Sequence, residues 1–284
     1  MRLTTLRLAD GSTAAARVDG EELVVIDGFS DVGDLLQRAS LDAARSASGP
    51  RHAFEGADLA PVVPRPGKIV CVGLNYRTHI LEMGRELPAH PTLFAKYPEA
   101  LVGPTDPVVL PPESDEVDWE GELAVIVGSR VRRARGDAAR EAIAGYSLLN
   151  DVTMRDYQYR TPQWLQGKTW EASTPFGPVV VTPDEIPEGA QLTTSVDGEV
   201  VQRTPLDDLV FDATALIEYI STIVTLQPGD VIATGTPGGV GHARSPRRYL
   251  HPGQMLTTTV DGIGALVNSV VAESPATGPD PRDG

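Results

Sequence analysis

Short apolar runs, some alternating and some continuous, recur along the chain between turn-forming residues, and they predict strands more often than helices. At the start, RLTTLRLA, TAAARVD and ELVVID, separated by DGS and GE, predict three short strands, followed by a helical patch around Val32 to Ala39. A breaker-rich stretch at 61–67 then precedes the apolar run at 68–73, which sets an expected boundary near 62–67. Residues 1–64 are thus expected to form a small β-rich N-terminal domain and residues 65–272 a larger one. In the larger part, strand-like runs fall at 107–111, 123–127, 177–181, 192–196, 231–234, 256–260 and 265–271. Asp197-Gly198 and Asp261-Gly262 predict tight hairpins, because both residue types tolerate positive φ. Ala213, Leu216, Ile217, Ile220 and Val224 repeat at helical spacing, with Asp212 as N-cap and Pro228-Gly229 as the stop. A shorter helix is expected over 137–144. The fold class that follows is mostly β (α+β), largely antiparallel, and the tail at 273–284 has almost nothing to bury.

Composition narrows the function classes. A chain of 284 residues with 41% hydrophobic residues can bury a substantial core. Its 39 Asp and Glu against 24 Lys and Arg leave a formal net charge of −15, which repels phosphate backbones and anionic membrane surfaces. Neither nucleic acid nor membrane is therefore expected as a partner. Cys71, the one cysteine, excludes an internal disulfide and a CxxC zinc knuckle and fits a reducing compartment. The first residues lack an apolar signal region and no window approaches a membrane span, so a cytoplasmic protein is expected.

The segment Val117-Asp-Trp-Glu-Gly-Glu-Leu-Ala-Val-Ile-Val-Gly128 carries the most chemistry. If it is extended, Glu120 and Glu122 share a face with Ala124 and Ile126, so two carboxylates head an apolar strand face. They are either exposed at a strand start or neutralised by a cation. Asp151, at the end of the apolar run 144–150, is either a helix N-cap or a third oxygen ligand, with Asp156 nearby or paired to Arg155. Carboxylates without a Cys or His cluster suit a hard ion: Mg²⁺ or Mn²⁺, with Ca²⁺ as a further option.

His79 and Glu82, three apart in one helical turn, can act as a general acid/base pair or as a solvated surface pair. The glycine-rich run at 234–241 fits neither a dinucleotide fingerprint nor a P-loop, but its N–H groups and the Thr236 hydroxyl could hold a carboxylate. Lys168 reads as either a surface lysine or a buried cation. Tyr157, Tyr159, Trp164 and Trp170 either shape a pocket or pack the domain.

Taken in order, Lys68-Ile-Val-Cys-Val-Gly-Leu-Asn-Tyr-Arg-Thr-His79-Ile-Leu-Glu82, Phe94-Ala-Lys96, Asp118-Trp-Glu120-Gly-Glu122-Leu, Asn150-Asp151-Val-Thr-Met-Arg-Asp156, Gly167-Lys168 and Gly235-Thr-Pro-Gly-Gly-Val-Gly241 resemble the fumarylacetoacetate hydrolase family over roughly residues 65–271. The resemblance implies a β-roll catalytic domain, usually dimeric, behind a variable N-terminal domain. It implies Glu120, Glu122 and Asp151 as Mg²⁺ or Mn²⁺ ligands, Lys168 beside them on a substrate oxygen, and His79 with Glu82 as the catalytic dyad. Thr236 and Gly235 match the part that holds a substrate carboxylate, and Arg77, Lys96, Arg155 and Gln158 lie near enough to contact substrate. The activity expected from it is hydrolysis of a C–C bond in a small 1,3-dioxo, acylpyruvate-type acid through a stabilised enolate. Decarboxylation of an oxaloacetate-type acid and isomerisation of a hydroxy-dienedioate are the alternatives, and a silent acid-binding protein is a remoter one.

Overall fold

The computed structural model describes residues 1–39, 41–82 and 84–274, without the side chain of Glu82. The tail from 275 onward, expected to be loose, lies outside the described residues. A large sheet runs in the order Arg51–Ala53, Glu22–Val25, Thr13–Asp19, Arg2–Arg7, Thr174–Val181, Ile143–Asn150, Gly121–Val127, Val231–Ala233, Ile69–Gly73 and Thr92–Lys96, with Leu101–Val102 also paired to Thr174–Val181. Pairing is antiparallel except where Val231–Ala233 meets Ile69–Gly73 and where Leu101–Val102 meets Thr174–Val181. A second sheet orders Glu199–Pro205, Gln191–Val196, Met255–Val260, Gly264–Ala272 and Val108–Leu110.

The N-terminal strands join the large sheet directly, since Arg2 pairs with Val181 and Leu3 with Val180. The same is true of the core. Val32, Leu35 and Leu36 of the helix Val32–Arg38 pack with Val62, Val63, Ile69, Cys71, Ala124 and Ile126. Alternate residues of the central strand point the other way: Val125 and Val127 meet Leu216, Ile217 and Ile220 of the helix Ala213–Ile223. Every residue of Gly121–Val127 is buried. That is why its sequence reads as a continuous apolar run. Leu123, Leu148 and Val179 face Leu192, Val260 and Leu266 of the second sheet, which joins the two layers.

The helix Ala213–Ile223 starts where its sequence predicts, with the Asp212 carboxylate accepting from the Ala215 N–H at 2.8 Å. Both Asp-Gly pairs turn hairpins, Gln191–Val196 into Glu199–Pro205 and Met255–Val260 into Gly264–Ala272. The expected helix over 137–144 is corrected: it ends at Arg140, and Ile143 and Ala144 open a strand. Pairing of that strand with Gly121–Val127 outweighs the helical preference of the alanines.

One buried side chain ties the future site together. Asn75, fully buried, donates to the carbonyls of Thr234 at 2.8 Å and Phe211 at 3.0 Å and accepts from the Phe211 N–H at 2.8 Å. Asn75→Ala leaves these backbone groups unpaired and is expected to lower stability by about 1–3 kcal/mol. Urea unfolding measures it, and an unchanged midpoint would mean the tie contributes nothing.

Candidate metal and substrate site

Glu120 sits between the strands Val117–Asp118 and Gly121–Val127, and Asp151 directly follows Ile143–Asn150. Because Gly121 pairs with Asn150, the two ends lie side by side, and the Asp151 N–H donates to the Glu120 carbonyl at 2.8 Å. Carboxylate oxygens of Glu120, Glu122 and Asp151 come within 4.8 Å of one another. All three are buried, at 7%, 1% and 0% exposure, so neither glutamate is a solvated strand end. Nor is Asp151 an N-cap, since Met154 occupies that position for the short helix Arg155–Gln158.

Three cations are interleaved with these acids. Lys168 Nζ lies 2.7 Å from Glu120 Oε2 and 2.8 Å from Asp151 Oδ2. Lys96 Nζ lies 2.7 Å from Asp151 Oδ1. Arg155 reaches Glu120 Oε1 and Asp118 Oδ2, each at 2.7 Å. Counting Asp118, Glu120, Glu122 and Asp151 against Lys96, Lys168 and Arg155 leaves 3 − 4 = −1. The carboxylate without a cation is Glu122: among the described residues its hydrogen bond is from the Gly235 N–H, at 2.8 Å. Burial, then Asp151 and Glu120, push the Glu122 carboxyl well above the usual carboxylate range. Burial works the same way on Asp151, but Lys168 and Lys96 outweigh it and hold that carboxyl low. For Lys168, burial is outweighed by Asp151 and Glu120, which keep the ammonium charged. With Glu122 ionised the buried all-oxygen triad carries one uncompensated negative charge and fits a hard divalent cation; without one, burial favours the neutral Glu122 carboxyl.

Within the glycine-rich run the Gly235 and Gly241 N–H groups and the Thr236 hydroxyl are engaged by the protein itself. Gly235 has φ +98°, and a Cβ there would come within 2.8 Å of the Val72 carbonyl. Its N–H is committed to Glu122. The Thr236 hydroxyl donates to the Gly121 carbonyl at 3.0 Å and accepts from Gln202 at 2.8 Å, while its side chain lines the adjoining cavity.

That cavity, about 330 Å³, opens over Glu120 and Lys168. Val72, Gly73, Leu74, Phe94 and Trp164 form apolar walls, and His79, Arg155, Gln158, Tyr159 and His242 add polar ones. Leu74 has φ +55°, uncommon for a branched residue, and is followed directly by the buried anchor Asn75. The Trp164 ring lies where a Cβ on Gly73 would be, 2.5 Å away. His79 is half-buried on the helix Arg77–Glu82 and lines the cavity. The side chain of Glu82, its expected partner, lies outside the described residues. Arg77 is exposed and is not among the lining residues, because it opens the helix on its solvent side. Lys96 is held beneath the cavity by Asp151 and does not line it. Arg155 lines it, but its nitrogens are committed to Asp118, Glu120 and Gln158.

The aromatic segment divides. Tyr159 and Trp164 line the cavity, whereas Tyr157 and Trp170 pack edge-to-face at 4.8 Å. Sequence reasoning missed Asp118 and His242. Asp118 accepts from Arg155 Nε and from the N–H groups of Gly241 and His242, at 2.7 to 3.0 Å. Only its place two residues before Glu120 pointed to it, and His242 had no signal beyond following the glycine run.

The family model described as "Fumarylacetoacetate (FAA) hydrolase C-terminal" matches residues 68–271. The protein "Oxaloacetate tautomerase Fahd2a, mitochondrial" of Rattus norvegicus is 42% identical over 216 residues, 75% of this chain and 69% of that protein. Among solved structures, a putative HpcE protein from Mycobacterium smegmatis is similar at a TM-score of 0.86 and 37% identity, over 96% of this chain and 100% of that one. A 5-carboxymethyl-2-hydroxymuconate delta-isomerase from the same organism is similar at 0.80 and 33%, with the same coverage.

Proposed function

Because the chain belongs to the fumarylacetoacetate hydrolase family, we propose that it is a Mg²⁺- or Mn²⁺-dependent tautomerase or isomerase of a small 2-oxo dicarboxylic acid. The observation that carries this is the meeting, in one cavity, of the buried triad and Lys168 with His79. Sequence identity of 42% with an oxaloacetate tautomerase, and likeness to an isomerase, support enolisation as the reaction. Glu120, Glu122 and Asp151 would hold the cation. Bound there, it supplies Lewis-acid polarisation of a carbonyl and stabilises negative charge on oxygen.

The chain's own groups account for the rest. Lys168 donates two of its three N–H bonds to carboxylates and has a third for the substrate oxygen that gains charge. In enolisation His79 takes a proton from the carbon beside the oxo group while the oxo oxygen takes one up from water. In ketonisation the enol oxygen gives up its proton and His79 delivers one to that carbon, with Glu82 as the partner that the family resemblance supplies. Phe94, Trp164 and Val72 keep water from that carbon. Hydrolytic cleavage of an acylpyruvate-type C–C bond is the second reading, favoured by the same imidazole in the wall, which can equally take a proton from water. Assembly as a homodimer belongs to this proposal, and light scattering checks it. Among the described residues no helix is long and apolar enough to cross a membrane.

A substrate panel with Mg²⁺ tests the reading. Ketonisation of the enol of a four-carbon 2-oxo diacid is expected to outpace acylpyruvate hydrolysis, and the reverse order would transfer the assignment to the hydrolase. His79→Ala is expected to lower kcat by about 10²–10⁴-fold with Mn²⁺ affinity unchanged. An unaltered kcat would remove His79 from the mechanism.

A further inference from the structure

We propose that His242 is a specificity-determining residue that binds the carboxylate at the far end of a 2-oxo diacid. The inference rests on the reading of the cavity as a 2-oxo acid site and deepens it. With a divalent cation, the buried cluster carries −1 + 2 = +1 by the ion pairs given above. A diacid brings two negative charges, so its second carboxylate needs a donor elsewhere. The cations nearest the cluster cannot serve. Arg155 has Nε and Nη2 on Asp118 and Nη1 on Glu120 and Gln158, and Lys96 is occupied by Asp151 outside the lining. Arg85 lines the cavity too, but it is exposed on an irregular segment and nothing fixes its side chain among the described contacts.

His242 is held. Its backbone N–H donates to Asp118 Oδ2 at 3.0 Å, its Nδ1 lies 2.9 Å from the Tyr249 hydroxyl, and its ring faces that of Tyr159 at 5.2 Å. The preceding Gly241 donates to Asp118 Oδ1 at 2.7 Å, and the Arg248 N–H closes the loop onto the Gly241 carbonyl at 3.1 Å. A Cβ at Gly241 would collide with the Arg248 carbonyl, so this closure needs glycine.

Among the described residues no hydrogen bond engages Nε2. When Tyr249 donates to Nδ1, the neutral ring carries its proton at Nε2, and the imidazolium carries one there as well. These two forms present an N–H donor to a carboxylate; the other neutral tautomer, with Nδ1 donating to the Tyr249 hydroxyl, does not. Asp118 grips this loop and Arg155 together, and Arg155 grips Glu120. The far-end donor is therefore positioned relative to the triad, as discrimination by chain length requires. The cavity lies at the low end of the usual range for small-molecule sites, about 300–1,000 Å³, which suits a compact diacid.

Titration calorimetry on the Mg²⁺-loaded full chain, with 2-oxoglutarate as diacid and 2-oxobutanoate as monoacid, tests the assignment. His242→Leu is expected to weaken the diacid about 10- to 100-fold, the range for loss of one charge-assisted hydrogen bond, and the monoacid less than about twofold. His242→Gln, which keeps an N–H donor on a side chain of similar reach, is expected to recover most of the diacid affinity. Equal weakening of both acids, or failure of the glutamine to rescue, would make His242 a structural support of the loop and overturn the proposal. Unchanged diacid binding would also overturn it while leaving the 2-oxo acid reading intact. Wild-type protein that binds neither acid would overturn that reading and this inference together.

Discussion

Lys168→Met is expected to lower the stability of the metal-free protein by about 3–5 kcal/mol, the usual effect of removing one partner from a buried ionic cluster. It is also expected to reduce turnover by at least about 10²-fold. The ammonium is 1% exposed and bonds both Glu120 and Asp151. Without it the cluster, counted with all four carboxylates ionised, goes from −1 to −2 in a buried site, and the methionine puts apolar surface against two carboxylate oxygens. The two effects separate on adding Mg²⁺. A divalent cation neutralises the same carboxylates, so the stability deficit is expected to shrink in saturating Mg²⁺, whereas turnover stays low because the third N–H of Lys168 has no substitute. Urea unfolding with and without Mg²⁺, beside a kcat measurement, checks both parts. A deficit independent of Mg²⁺ would mean that Lys168 and the cation do not share ligands.

The second large effect is metal removal. Excess EDTA is expected to abolish turnover and Mg²⁺ or Mn²⁺ to restore it, because Glu122 has no other counter-charge among the described residues. Binding to the folded chain alone also stabilises it: at one hundred times Kd the gain is about 2.7 kcal/mol. For a chain of this size that corresponds to a rise in Tm of roughly 5–10 °C at about 2–4 °C per kcal/mol. Calorimetric melting with and without Mg²⁺ reads it directly, and coincident melting curves would argue against a site in the triad.

Much of this was legible in the chain, where local chemistry decides the outcome. The Asp197-Gly198 turn needs two residues that accept positive φ, and both adopt it, at +52° and +81°. The helix from Ala213 has its cap and its apolar stripe within one short segment. Glu120 and Glu122 converge because they are two apart on extended backbone, and Asp151 joins them because its strand is the antiparallel neighbour. What stayed hidden depends on distant partners. Nothing local marks Lys96 as the partner of Asp151, 55 residues away, or the Gly235 N–H as that of Glu122, 113 residues away. A single sequence also cannot reveal that Asp118 and Glu120 engage the guanidinium of Arg155. The division of the aromatic segment likewise depends on the missing side chain of Gly73, which gives Trp164 its place in the wall.

The claim on which the rest depends is that Glu120, Glu122 and Asp151 form one divalent-cation site. Titration of the metal-free protein with Mn²⁺, followed by the loss of the free-ion electron paramagnetic resonance signal, tests it most directly in wild type and in Glu122→Ala. One tightly bound Mn²⁺ per chain in the wild type, with that binding lost in the variant, is the expected result. Equal stoichiometry and affinity in the two proteins would contradict it.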